Sequence, residues 1–205
     1  ISADCRRANS TAPFWPTKLS KKPWKFTEIL IQILVLKSFM EIKSKLHRRT
    51  GQVFDVVYRE DSFWDNLEGK SLQAVHAYCF YKDKLVVVYA DNKGYWTPPG
   101  GGIEQGESVE EAVIREVKEE TNMKVLHQEL IGYQDVYDSG KIIRQTRSFC
   151  IVEPYGEFVA DPDGDVTKIE LIDPLDYKKY FDWSAIGDRI MWRAIELKEK
   201  FENKR

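Results

Sequence analysis

The segment PPGGGIEQGESVEEAVIREVKEETNM, Pro98 to Met123, constrains this chain more than any other, because a run of bare backbone leads straight into a helix crowded with glutamates. Ser108 followed by Glu111 has the Ser-x-x-Glu form of a capping box, so the helix starts near Val109. Val109, Val113 and Val117 recur every four residues and, with Ala112, make an apolar stripe suited to a core. At about 100° per residue, Glu116 and Glu120 fall beside that stripe, and Glu119 lies just across Glu116. Carboxylates placed this way repel one another and resist burial unless a cation joins them. Oxygen ligands select a hard ion, magnesium or manganese rather than zinc. Gly100, Gly101 and Gly102 carry no side chain to keep that ion, or a phosphate, away from the backbone. The plainer reading is a solvated acidic helix in which Glu111 pairs with Arg115 and Arg115 with Glu119.

The positions Gly101, Glu107, Arg115, Glu116, the aliphatic Val117, Glu119, Glu120, Asn122 and the aliphatic Met123 resemble, in identity and spacing, the Nudix box. The match is complete except at Asn122, where the family pattern has glycine. Asparagine substitutes readily for glycine at a left-handed helix end, so Asn122→Gly is expected to be tolerated or slightly stabilising. The resemblance continues, weakly, over most of residues 70 to 203.

That resemblance implies a hydrolase directing water onto a phosphorus of a nucleoside diphosphate linked to another group, of the nucleotide-sugar, ADP-ribose or nucleoside triphosphate type. It further implies that Glu116, Glu119 and Glu120, with the Gly100 carbonyl, bind the divalent ions, and that Arg115 orients a glutamate. Glu107 would support the set from the helix start. Family members often take a catalytic base from a downstream acidic loop, and EFVADPDGD, Glu157 to Asp165, offers Asp163 first and Asp165 second. A box glutamate is the other source of a base, and Asp and Gly also serve turns for their backbone habits alone. For substrate contacts the candidates are Trp96 and Tyr137, with Tyr95 and Tyr133, for stacking, and Arg144 or Arg147 for a phosphate. Strand aromatics also serve simple cross-strand packing. The alternative function is a Nudix-fold module that binds a nucleotide or nucleic acid without turnover. The intact glutamates favour the enzyme.

Around the box the chain reads as a sheet. Ala74 to Tyr81 and Leu85 to Ala90 are apolar runs joined by a short polar turn, Lys82-Asp83-Lys84, as in a hairpin. Val125 to Tyr137 and Ile142 to Val152 flank Asp138-Ser139-Gly140 in the same way. Thr167 to Ile172 reads as a further strand and Val53 to Tyr58 as an edge strand. Ser184 to Glu202 is a helix with Ile186, Ile190, Ala194, Leu197 and Phe201 on one side. Helices on a mixed sheet make an α/β/α sandwich, the fold the resemblance also implies.

Charge divides the chain. Residues 1 to 50 hold 11 Lys/Arg against 3 Asp/Glu, and the remaining 155 hold 20 against 30. We therefore expect a basic amino-terminal extension, residues 1–45, and a catalytic domain, residues 46–205. Residues 1–25 read as a flexible tail or leader, and the first methionine, Met40, as a candidate start. Phe26 to Met40 is apolar but interrupted by Glu28, Gln32 and Lys37, and shorter than the roughly 20 residues of a membrane span. It suits a packed or interfacial helix, or the seam of a homodimer. Lys43, Lys45, Arg48 and Arg49 read as the solvated end of that helix before a patch for nucleic acid or lipid. Cys5, Cys79 and Cys150, like His47, His76 and His127, form no disulfide or zinc motif, and the expected compartment is the reducing cytoplasm.

Overall fold

The computed structural model describes residues 41–47, 51–60, 62–64, 66–91, 93–158, 161, 162 and 164–204. The segment before residue 41, with Cys5 and the apolar run 26–40, lies outside the described residues, as does Asp163. Among the described residues eight strands form one mixed sheet: β1 Glu41–His47, β2 Val53–Arg59, β3 Lys70–Tyr81, β4 Lys84–Ala90, β5 Tyr95–Thr97, β6 Met123–Asp138, β7 Lys141–Pro154 and β8 Val166–Ile172. Their order is β1-β2-β6-β7-β3-β4-β5, with β8 also paired to β4. The β3–β7 pairing is parallel and the others are antiparallel. Among the described residues two α-helices, α1 Val109–Thr121 and α2 Ser184–Glu202, pack on this sheet. A 3-10 turn over Pro174–Lys179 leads into α2.

Period-two alternation decides which helix covers which face. On β3, Val75, Ala77 and Cys79 point toward Val109, Val113 and Val117 of α1, whereas Tyr78 and Phe80 join Ile186, Ile190 and Leu197 of α2. The sheet is thus the middle layer of an α/β/α sandwich. Full burial of each stripe valine contributes about 1.5–3 kcal/mol, enough to hold an acidic helix against the sheet. Ser139 and Gly140 both have positive φ, 47° and 83°, as a primed two-residue turn between long strands requires. Cys79 and Cys150 are buried lateral neighbours on β3 and β7 and remain free thiols.

Lys43 and Lys45 stand on a strand, not on a helix end, and Arg48 and Arg49 lie outside the described residues. Ile42, Ser44 and Leu46 face inward while Lys43 and Lys45 face solvent, and the strand they form pairs along its length with β2. This strand takes the sheet edge and moves Val53–Arg59 inside, between β1 and β6. Its lysines pair with Glu41 and Asp55, and edge lysines discourage further strand addition. The strand also spans the expected boundary at residues 45 and 46. Among the described residues no helix is long and apolar enough to cross a membrane.

Candidate active site

The glycine turn is stitched to β3 by the bonds Val75 N–H to Gly101 O, Ala77 N–H to Pro99 O and Ile103 N–H to Gln73 O, at 3.0, 2.8 and 2.9 Å. Between the two engaged carbonyls of Pro99 and Gly101, the Gly100 carbonyl accepts no bond from a described residue. The Gly100 N–H donates to Oε2 of Glu120 at 2.7 Å. Gly101 lies against Glu116 so closely that an added Cβ would come within 2.6 Å of both carboxylate oxygens. Helix α1 delivers these side chains on schedule. Ser108 Oγ accepts from the Glu111 N–H and Glu111 Oε2 accepts from the Ser108 N–H, so the capping box closes and fixes the first turn.

Arg115 holds the glutamates in place. Its guanidinium donates to Glu107 at 2.9 Å through Nε and again through Nη2, to Glu116 at 2.8 Å, to Glu119 at 3.0 Å and to the Gly102 carbonyl at 2.7 Å. Its hydrogen bond holds Glu107 below the usual carboxylate range. Glu116 is buried, and that desolvation raises its pKa despite Arg115. Burial pushes Glu120 to about 8, with the nearby charges of Glu116 and Asp161 adding to the rise and the Gly100 N–H and Lys93 opposing it. Glu116, Glu119 and Glu120 offer oxygen donors only, with Arg115 as the cation bonded to two of them, a chemistry that fits a hard divalent ion. Among the described residues no three His, Cys, Asp or Glu side chains converge at ligand spacing.

The sign of the linkage follows from the folded and unfolded values. Glu120 keeps its proton in the folded state up to about pH 8 and loses it near 4.5 when unfolded, so its contribution to stability falls as pH rises through that interval. Without divalent ions, thermal unfolding is expected to move to lower temperature between pH 5 and 8, and Glu120→Gln is expected to flatten that drop. Magnesium or manganese at one fixed concentration, about 100 times its Kd at pH 8, should raise the midpoint by roughly 5–10 °C at pH 8, and by less at pH 5, where protonated Glu120 weakens binding. Calorimetry across the pH series checks this. An equal metal shift at both pH values would remove Glu120 from the ligand set.

The downstream acidic loop comes close to this centre in part. Asp161 is buried, and its Oδ2 accepts the Asp165 and Val166 N–H groups, each at 3.0 Å, fixing the start of β8. Asp165 is exposed and accepts Asp91 N–H through its backbone. Asp163, the first-choice base, lies outside the described residues. Neither the proximity of Asp161 to Glu120 nor its capping role has a sequence signal that separates it from its acidic neighbours.

The expected substrate residues separate. Arg144 is fully buried, its guanidinium gripping Asp135 at 2.7 and 2.9 Å, donating to the Phe63 carbonyl at 2.6 Å and lying 3.8 Å from the Tyr133 ring centre. It has no face left for a phosphate and is an internal structural cation. Burial pushes the Asp135 carboxyl up, but hydrogen bonds from Arg144 and Lys70 outweigh this and hold it below the usual range. Arg144→Met is expected to cost about 3 kcal/mol in urea denaturation while leaving KM unchanged. A raised KM in a stable variant would return Arg144 to the binding site. Tyr137 sits by the β6–β7 turn, level with Ile142 and Lys70 and away from the glycine turn beside Val75. Trp96 is half-buried, packed edge-on between Tyr89 and Tyr180. Arg147 is buried and bonds the Thr146 carbonyl and Gln145, with Trp183 5.6 Å away. Its Nε, like Nδ1 of the adjacent His76, meets no described partner.

Along α1, a groove of about 820 Å³ is lined by Glu107, Arg115, Lys118, Glu119, Asn122 and Pro162 among others. The model of the NUDIX domain matches residues 70–191. An uncharacterized Nudix hydrolase of Bacillus subtilis, YvcI, is 42% identical over 50 residues, covering 24% of this chain and 32% of that protein. An ADP-ribose pyrophosphatase of Methanocaldococcus jannaschii is 43% identical over 60 residues, covering 28% of this chain and 34% of its own. The chain thus spans about a third of the length of these two relatives. The crystal structure of the Bacillus subtilis pyrophosphohydrolase BsRppH (E68A mutant) superposes with a TM-score of 0.57 at 20% identity, over 77% of this chain and 97% of that one. At that identity the likeness speaks to the fold.

Proposed function

Because this chain belongs to the Nudix domain family, we propose that it is a divalent-ion-dependent hydrolase of a phosphoanhydride bond in a nucleoside diphosphate linked to another group. The observation that carries the reading is the pair of carboxylates, buried Glu116 and half-buried Glu120, pressed against the bare backbone of Gly101 and Gly100, where desolvation raises the pKa of each. A purely structural acidic helix has little use for that arrangement, since desolvation raises both groups despite the bonds from Arg115 and the Gly100 N–H.

Glu116, Glu119, Glu120 and the Gly100 carbonyl would hold magnesium or manganese. When bound, the ion supplies charge neutralisation at the diphosphate and acidifies water. The chain's own residues do the rest. Arg115 locks Glu116 and Glu119 in one orientation and ties both to Glu107, so the donor set is organised before substrate arrives. Asp163 or Asp165, or Glu119 or Glu120 in the box, would take the proton from the attacking water. Trp96 and the buried Arg147 remain the candidates for substrate contact. The relatives' names direct the substrate search to ADP-ribose first, with other nucleoside diphosphate derivatives and nucleoside triphosphates beside it. Incubation of this panel with magnesium, scored for released nucleoside monophosphate, tests the reading. Absence of turnover on every compound, with the protein folded and the ion bound, would leave a binding module instead.

A further inference from the structure

We propose that Arg147, His76 and Tyr78, covered by Trp183, form a subsite for a phosphate or carboxylate that the substrate carries beyond its scissile diphosphate; the inference rests on the hydrolase reading. Arg144 and Arg147 are both enclosed on β7, yet they are served differently. Arg144 has the Asp135 carboxylate. Among the described residues Arg147 has only neutral oxygens, the Thr146 carbonyl at 2.9 Å and Gln145 Oε1 at 3.2 Å, and burial presses its guanidinium below the ordinary value. A charge enclosed without an opposite charge costs stability that nothing in the fold returns.

Its neighbours lack partners too. His76 lies beside Arg147 in the β3–β7 register, and Tyr78 follows on the same face of β3, the face toward α2. Arg147 Nε, His76 Nδ1 and the Tyr78 hydroxyl are buried, and among the described residues none of the three meets a hydrogen-bond partner. Two other orphaned atoms, on Thr146 and Gln128, share registers with Val75 and Cys150 and so belong to the α1 face. Three orphans around one guanidinium describe a missing group that takes hydrogen bonds, and the unmatched charge calls for an anion. Trp183 meets all three residues, its ring centre 5.7 Å from that of His76, 6.4 Å from that of Tyr78 and 5.6 Å from Arg147 Cζ. It is half-buried and makes no side-chain cap bond to α2, and Ser184 after it is left-handed at φ 53°, so packing alone seats the ring. The cluster adjoins the ion site. A Cβ on Gly100 would come within 2.8 Å of the His76 Cα, and the exposed Lys93 acts electrostatically on both Glu120 and His76. A substrate whose diphosphate lies at the Gly100 carbonyl need only cross the glycine turn to bring its far end to Arg147.

Anion binding is measurable without turnover. In a buffer free of divalent ions and oxyanions, Arg147→Met and Tyr78→Phe are each expected to unfold at the wild-type temperature or above, since each removes a group the fold leaves unmatched. Inorganic phosphate at about ten times its Kd should raise the wild-type midpoint roughly 3–5 °C more than that of either variant, whereas general salting acts on all three alike. Phosphate should also change the tryptophan emission of wild type but not of Trp183→Phe. Equal phosphate shifts in wild type and variants would overturn the subsite. So would an Arg147→Met chain that fails to fold or unfolds as early as Arg144→Met, the behaviour of a structural cation. Kinetics then test the occupant. Wild type is expected to prefer ADP-ribose 2′-phosphate to ADP-ribose, or UDP-glucuronate to UDP-glucose, by at least about tenfold in kcat/KM, and Arg147→Met to lose that preference. No preference in either pair, from a chain that hydrolyses the plain members, would overturn the assignment to substrate. If the wild-type chain hydrolyses nothing, the hydrolase reading fails, and the phosphate shift by itself decides whether the cluster binds an anion.

Discussion

Glu120→Gln and Glu116→Gln are each expected to lower turnover at least about a hundredfold at saturating magnesium, as loss of a group that holds a water-activating ion should. Stability is expected to move the other way. Glutamine at residue 120 can still accept the Gly100 N–H through its amide oxygen, and it removes a carboxyl that burial drives up to about 8. Without divalent ions at pH 8, the variant should therefore unfold at the same temperature as wild type or higher. Glu116→Gln likewise keeps an oxygen for Arg115 and relieves a buried carboxylate. Activity lost while stability is kept is the mark of groups placed for an ion rather than for the fold. Steady-state kinetics and calorimetry on the same preparations check it, and near-normal turnover in either variant would remove that glutamate from the site.

The parts of this site legible in the sequence are those that depend on near neighbours. The capping box, the valine stripe and the left-handed Asn122 all follow from residues within about a turn or two of one another, and each is present. Helix α2 is legible for the same reason, over Ser184–Glu202, because its apolar period is unbroken. What escapes is decided across the sheet. Arg144 reads as a phosphate ligand until the β6–β7 register sets it opposite Asp135. Nothing local announces that partner, and a strand arginine in isolation is as suited to a ligand as to a neighbour. The Asn122 amide is a similar case, since its acceptor at Glu157 arrives only after β6 and β7 have run out and back. β1 is hidden by its own composition, the alternating lysines that suit an edge strand being equally at home on a helix end.

Adjacent glycines in the turn should respond to alanine in opposite ways, because different kinds of atom stand over them. At Gly100 the backbone sits at φ 150°, and a Cβ would lie 2.2 Å from the Val75 carbonyl oxygen and 2.8 Å from the His76 Cα. Those atoms belong to β3, which is paired with β7 on one side and stitched to the turn on the other, so they have nowhere to go. Gly100→Ala is expected to cost about 3–5 kcal/mol from overpacking and backbone strain together. At Gly101 the obstructing atoms are the end of the Glu116 side chain, at 2.6 Å, and a side chain can turn away. Gly101→Ala should then lose no more than about 1 kcal/mol of stability, yet displace Glu116 from Arg115 and reduce turnover on the order of a hundredfold, the effect of misplacing a catalytic group by about an ångström. Urea denaturation and kinetics on the two variants give the contrast directly. Equal destabilisation of both would mean that Glu116 is as rigid as the strand, and full activity in Gly101→Ala would mean that its position beside the turn has no part in the chemistry.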